Sequence, residues 1–238
     1  MVSLIEVAAI PAEALLIPAD CYVVIDCLRA TTTIATVFAR GLTDLVVCDS
    51  LEQSRIRGAA EDRVLFGEVG GLPPDDFDYG NSPAEASGLH LDGRRGLLYT
   101  TNGTTAICVL AGQGTVIAGS LANLSAVITA CEQFSTVAFV CAGEARGNRF
   151  GLDDFDAAAW FVQELARRNP GAGLGDLALL AARSTQLDRL ILDSRHADET
   201  RRLGLARDID FALRRDTSAT VPMVTAHGQG WALLEDRR

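Results

Sequence analysis

Short β-branched, apolar runs alternate with amphipathic helical windows along most of this chain, and that alternation commits it to an α/β architecture. The runs read as strands at residues 21–26, 44–48, 64–68, 97–100, 115–118 and 137–141, with helical windows near 32–39, 51–60, 104–110, 121–131 and 155–168. Strand–helix–strand units of this size make right-handed crossovers. A layered α/β/α fold with a largely parallel or mixed sheet is therefore expected. After a P-G-A-G-L-G-D linker the pattern becomes mainly helical, with windows at 176–185, 187–203 and 206–213 and one late extended piece at 221–226. The 238 residues are long enough for a sizeable core and are expected to form one α/β unit.

A weak internal repeat runs through the pattern. The first copy reads A-T-T-T-I-A-T-V-F-A-R-G, then L-V-V-C-D-S, then V-L-F-G-E-V-G-G; the second reads N-G-T-T-A-I-C-V-L-A-G, then T-V-I-A-G-S, then V-A-F-V-C-A-G. It predicts two similar halves, about residues 20–71 and 96–168, followed by a mainly helical segment at 169–238. The two Thr-rich turns would then face one cleft. A loop rich in Gly, Pro, Asp and Asn, residues 70–88, separates the copies.

Charge and composition exclude several chemistries. A formal charge of -10 argues against general nucleic-acid binding, which needs a basic surface. The chain has no lysine, so all 21 basic residues are arginines. Schiff-base and P-loop lysine chemistry are ruled out, and phosphate must be met by arginine, backbone N–H, hydroxyls or a metal. The six cysteines include no C-x-x-C pair and sit in apolar runs, as reduced thiols packed like small hydrophobes; this fits a cytoplasmic protein. Glu6 and Glu13 interrupt the N-terminal region and no apolar run approaches spanning length, so neither a signal peptide nor a membrane partner is expected. The isolated His90, His196 and His227 make a zinc site improbable, and His196, in D-S-R-H-A-D-E-T, reads as an exposed helical residue. No G-x-S-x-G elbow, Walker motif or G-x-G-x-x-G follows a strand.

What remains is an anion- and metal-directed constellation. Asp26 directly follows a buried strand, where it can serve as nucleophile, hard-metal ligand or helix cap. Arg29 is close enough to pair with Asp26 or to clamp a phosphate. Thr31, Thr32 and Thr33 open a helix with hydroxyls and N–H groups, and Asn102, Gly103 and Thr104 form a second turn suited to an anion nest. Glu68 ends a strand, and Asp153 and Asp154 precede a helix. Two or three of these acids with Asp26 would suffice for Mg²⁺, although Asp153 and Asp154 could equally complement a helix dipole.

Taken in order, I-D-C-L-R-A-T-T-T, F-G-E-V-G-G, G-N-S-P, T-T-N-G-T, L-D-D and the late D-S-R-H-A-D-E-T-R-R-L-G-L-A-R-D-I-D-F-A-L resemble the 2-phosphosulfolactate phosphatase family. The resemblance extends from about residue 21 to about residue 222. It implies a Mg²⁺-dependent phosphomonoesterase acting on a small anionic phosphorylated hydroxy acid, in a step toward coenzyme M, and a homodimer. A related phosphohydrolase with another small ester, or a non-catalytic binder of anionic metabolites, are the alternatives. Two positions depart from the family pattern. Cys27 replaces an expected Val, and Val69 stands where the pattern reads G-E-R-G-G, removing a cationic contact that Arg146 or Arg149 could replace.

Overall fold

Ten strands join into one mixed, mostly parallel sheet in the computed structural model, which describes residues 1–238. They are β1 (Leu4–Ala8), β2 (Cys21–Ile25), β3 (Asp44–Cys48), β4 (Val64–Gly67), β5 (Arg95–Tyr99), β6 (Thr115–Gly119), β7 (Thr136–Cys141), β8 (Gly173–Leu174), β9 (Pro222–Gly228) and β10 (Trp231–Asp236). The helices are α1 (Pro11–Ala14), α2 (Ala30–Ala39), α3 (Leu51–Glu61), α4 (Pro83–Ala86), α5 (Gly103–Leu110), α6 (Leu124–Cys131), α7 (Leu152–Arg168), α8 (Asp176–Ala182), α9 (Arg189–Leu192), α10 (Arg195–Arg202) and α11 (Ala206–Ala212). All six strands read from the sequence are present.

The strand order is β4-β5-β3-β10-β9-β6-β2-β7-β1-β8. Two parallel groups flank an antiparallel hairpin, β9 and β10. β10 pairs with β3 over Trp231–Leu234, while β9 meets β6 through the single pair Met223 and Ile117. The two repeat-like stretches do not form separate halves. β2, the first strand of one, lies between β6 and β7 of the other, and β5 lies in turn between β3 and β4.

The last seventy residues differ from their sequence reading. They are helical only as far as α11, and the extended piece expected at 221–226 becomes a two-stranded insertion at the centre of the sheet. In β10, Ala232 and Leu234 are fully buried while their neighbours are only partly covered, the period-2 pattern of a strand packed on one face. The window at 187–203 is broken into α9 and α10, because Ser194 caps α10 by accepting from the Ala197 amide at 3.0 Å. β1 also escapes the sequence pattern, since Glu6 divides its short apolar run. In the sheet Ile5 and Val7 turn inward and Glu6 outward.

Alternation along β2 divides the core. Val23 and Ile25 join Ile117, Phe139 and Phe161 beneath α6, α7 and α8. Val24 points to the other face, where it meets Ile34 and Phe38 of α2, Ile107 of α5, and Val47 and Leu98 from the opposite strand group. Thus α2 and α5 are packed between the two groups, and their N-termini come close together. All six cysteines are free thiols. No helix is long and apolar enough to cross a membrane.

Candidate active site

A cavity of about 390 Å³ opens where the carboxyl ends of β2, β4, β5 and β7 meet α10. Ligand sites of α/β sheets form at such strand ends, because loops there are free to vary while the strands hold them rigidly.

Asp26 stands at its base, immediately after β2 and only 4% exposed. Its Oδ1 accepts from the Ala30 amide at 3.0 Å and so caps α2. The opposite oxygen, Oδ2, faces Gly103 at the start of α5. A Cβ on Gly103 would lie 2.6 Å from that oxygen and 2.6 Å from the Ala30 methyl. Gly103→Ala is therefore expected to push Asp26 out of position, lowering turnover at least about tenfold and stability by about 1–3 kcal/mol. Steady-state kinetics and urea melts would measure both, and wild-type kinetics in the variant would show that this contact is not needed.

Burial raises the Asp26 pKa to about 6, helped by the charges of Asp153 and Glu68 and opposed by His196 and the Ala30 N–H. Glu68 also lines the cavity. Its Oε1 accepts from the Thr101 amide at 2.6 Å and its Oε2 from the Gly71 amide at 2.7 Å, tying the ends of β4 and β5 together.

The other two acids lie behind the cavity wall. Asp154 is 2% exposed and bridges the strand ends, accepting from Cys27 N at 2.9 Å and Gly143 N at 2.8 Å. Burial and the charges of Asp153 and Asp26 push its pKa well up against those two amides. Neither buried oxygen of Asp153 has a hydrogen-bond partner; Oδ2 lies 3.2 Å from Nδ1 of His196, an ion-pair contact.

That histidine corrects the sequence reading. His196 is not a solvated helix residue; it lines the cavity beside Asp26. Burial opposes its charge, but the close contact with Asp153 and the negative charges of Asp153, Asp26 and Asp154 prevail, raising its pKa to about 10. The available signal was spacing. His196, Glu199, Thr200 and Leu203 recur at three- and four-residue intervals, one face of α10 and its end, and all four line the cavity.

Arg29 does not pair with Asp26, the protein partner expected for it. Its Nη1 donates to Asp208 Oδ2 at 2.9 Å and its Nη2 to the Gly71 carbonyl at 2.7 Å. Asp208, on α11, is 1% exposed and also accepts through Oδ1 from Ser82 Oγ at 2.6 Å and Ala84 N at 3.3 Å. The peptide joining Leu28 to Arg29 is cis.

Thr31, Thr32, Thr33 and Thr104 support the turns instead of lining the cleft. Thr31 and Thr32 donate their hydroxyls to the carbonyls of Asp26 and Cys27, each at 2.9 Å, and Thr33 is buried with its hydroxyl unpartnered. Thr104 donates to the Thr100 carbonyl at 2.8 Å inside its own turn. From this second turn Thr100, Thr101 and Asn102 reach the cavity. The Asn102 side-chain Oδ1 accepts from the Arg146 amide at 3.0 Å. Neither arginine expected to replace a cation at position 69 lines the cavity: Arg146 donates to the Asp49 carbonyl, and Arg149 lies 3.7 Å from Glu144. Val69 itself is 51% exposed, and the cavity's other arginines are Arg195 and Arg202 of α10.

No three His, Cys, Asp or Glu side chains converge into a ready-made metal cage. Mg²⁺, however, is commonly held by one or two carboxylates with water and phosphate oxygens completing its octahedron. Asp26 and Glu68 supply that set at the cavity wall, and the raised Asp26 pKa reflects a buried negative charge that a cation would offset. The residues present fit the ion.

Comparison with known proteins places the chain in a family. A family model described as 2-phosphosulpholactate phosphatase matches residues 8–227. A probable 2-phosphosulfolactate phosphatase of Thermus thermophilus is 37% identical over 228 residues, covering 92% of this chain and 94% of the relative. Proteins of the same description from Deinococcus radiodurans and Thermotoga petrophila are 36% and 34% identical, covering 85% and 86% of this chain and 87% and 90% of their own length. With a match across nearly its whole length, the chain belongs to the 2-phosphosulfolactate phosphatase family.

Proposed function

We propose that this phosphatase hydrolyses 2-phosphosulfolactate to sulfolactate and inorganic phosphate, with Mg²⁺ as cofactor. The observation that carries the reading is the grouping of Asp26, Glu68, Arg29 and His196 around one cavity at the strand ends.

Asp26 and Glu68 would hold the ion, which supplies Lewis-acid polarisation of the phosphoryl oxygens when bound. Arg29 is anchored on both sides by Asp208 and Gly71, and its remaining N–H groups can meet phosphate oxygens without a change of rotamer. His196 is ion-paired with Asp153 through Nδ1 and can donate from Nε2 to the departing hydroxy-acid oxygen, the proton passing as the P–O bond breaks. Asp154 keeps the β2 and β7 ends at their fixed spacing beneath this arrangement.

Phosphate release from 2-phosphosulfolactate, measured with Mg²⁺ and with a chelator, tests the reading directly. Mg²⁺-dependent turnover is expected, at a kcat/KM at least about a hundredfold above that for glycerol 2-phosphate. Equal rates on both esters would remove the assigned substrate, and full activity in chelator would remove the metal. An acid quench separates two routes: attack by Asp26 leaves a phosphoenzyme, and attack by water leaves none.

A further inference from the structure

Three arginines line the cavity, and their electrostatic situations differ. Arg29 is 6% exposed and committed to Asp208 and the Gly71 carbonyl. Arg195 is ion-paired with Glu144 and lies 3.8 Å from Glu199. Arg202, in the last turn of α10, lines the same cavity but has no carboxylate within ion-pair distance and donates to no protein group. Its neighbour Arg201 shows the contrast, since it is held by Asp198 at 2.8 Å and by the Leu192 carbonyl at 2.8 Å.

A guanidinium stays charged at any working pH and presents its donors as a planar fork that matches carboxylate and sulfonate oxygens. Arg202 is thus the one cavity arginine whose charge the protein itself leaves uncompensated. Glu144 is neutralised by Arg195, whereas Asp26 and Glu68 belong to the phosphate end of the cavity. An anion reaching α10 therefore meets Arg202 as its available partner.

We infer that Arg202 binds a second anionic group of the substrate, the sulfonate or carboxylate of the phosphorylated hydroxy acid, and selects such esters over phosphomonoesters with an uncharged end. This rests on the phosphatase reading above and deepens it. Arg202 acts on recognition, not on bond breaking, so its loss falls on KM and leaves kcat nearly unchanged.

The test compares wild type, Arg202→Gln and Arg202→Lys on 2-phosphosulfolactate, 2-phospholactate and glycerol 2-phosphate. Arg202→Gln is expected to raise KM about ten- to a hundredfold for the anionic hydroxy acid, with kcat held within about twofold, and Arg202→Lys to recover part of the loss. A rise on 2-phosphosulfolactate alone assigns Arg202 to the sulfonate; a rise on 2-phospholactate as well assigns it to the carboxylate. No change on any ester, or the same rise on glycerol 2-phosphate, overturns the inference. Calorimetric binding of sulfolactate needs no turnover. Wild type is expected to bind it at least about tenfold more tightly than Arg202→Gln. Equal affinities, or no binding by wild type, also overturn it. If sulfolactate binding depends on Arg202 while no ester releases phosphate, the phosphatase reading fails and the assignment of Arg202 stands.

Discussion

Asp26→Asn is expected to lower turnover by about a thousandfold or more while making the metal-free protein more stable above pH 6. The two effects share one cause. Asparagine keeps an oxygen for the Ala30 amide, so the cap of α2 survives. What disappears is a buried negative charge and its unshared oxygen facing the cleft. The folded pKa of Asp26 is raised from 3.8 to about 6, so the folded state binds this proton more tightly than the unfolded chain. Its stabilising contribution is complete below about 3.8 and is lost as pH rises through about 6. At pH 8 the ionised carboxylate costs about 3 kcal/mol, the free-energy equivalent of that displacement. Part of the gain is offset because His196 loses a favourable charge. A net stabilisation of about 1–3 kcal/mol, several degrees in Tm, is expected in chelator at pH 8, fading toward pH 4. Added Mg²⁺ should narrow the difference by stabilising wild type through binding. A variant keeping a tenth of the activity would remove Asp26 from the chemistry. A variant less stable than wild type at pH 8 without metal would refute the cost assigned to its burial.

Removing either member of the Arg29–Asp208 pair should destabilise the fold by about 3–5 kcal/mol, because each leaves an uncompensated charge in a buried setting. Asp208→Ala is the more damaging of the two for structure. Besides Arg29 it strands the Ser82 hydroxyl and the Ala84 amide, which begin α4. Arg29→Ala is the more damaging for activity, since it removes the guanidinium from the cavity. The double variant should cost less than the sum of the singles, as groups within one network couple. Urea denaturation of the four proteins gives the cycle. Additive losses, or single losses below about 1 kcal/mol, would mean that the pair does not hold the turn.

Asp26, Glu68 and the turn at Thr100–Thr104 were legible because each sits where a strand signal meets a helix signal within a few residues. Strand ends in an α/β protein point toward a shared crevice whatever the details of packing. The chemistry of Arg29 was legible but its partner was not, since Asp208 lies 179 residues further along the chain. His196 was misread for a related reason. A polar eight-residue helix looks solvated from its composition, and only the packing of α10 over the β2 end turns one face inward. Asp154 shows the converse. The sequence reads as placing it just before a helix; it lies inside the first turn of α7, and both of its oxygens are committed to amides at two strand ends.

By itself the sequence determined the α/β class, six of the ten strands and the strand-end placement of Asp26 and Glu68. Periodicity, caps and turn residues act over a few residues, so these features need no knowledge of distant partners. The tertiary structure decided the exchange of β2 and β5 between the two strand groups and the entry of β9 and β10 at the centre of the sheet. It also decided which carboxylates face the cavity, which are used up by amides, and which arginine is left without a partner. Those outcomes depend on sheet order and helix packing, where residues far apart in sequence compete for the same hydrogen bonds and the same buried space.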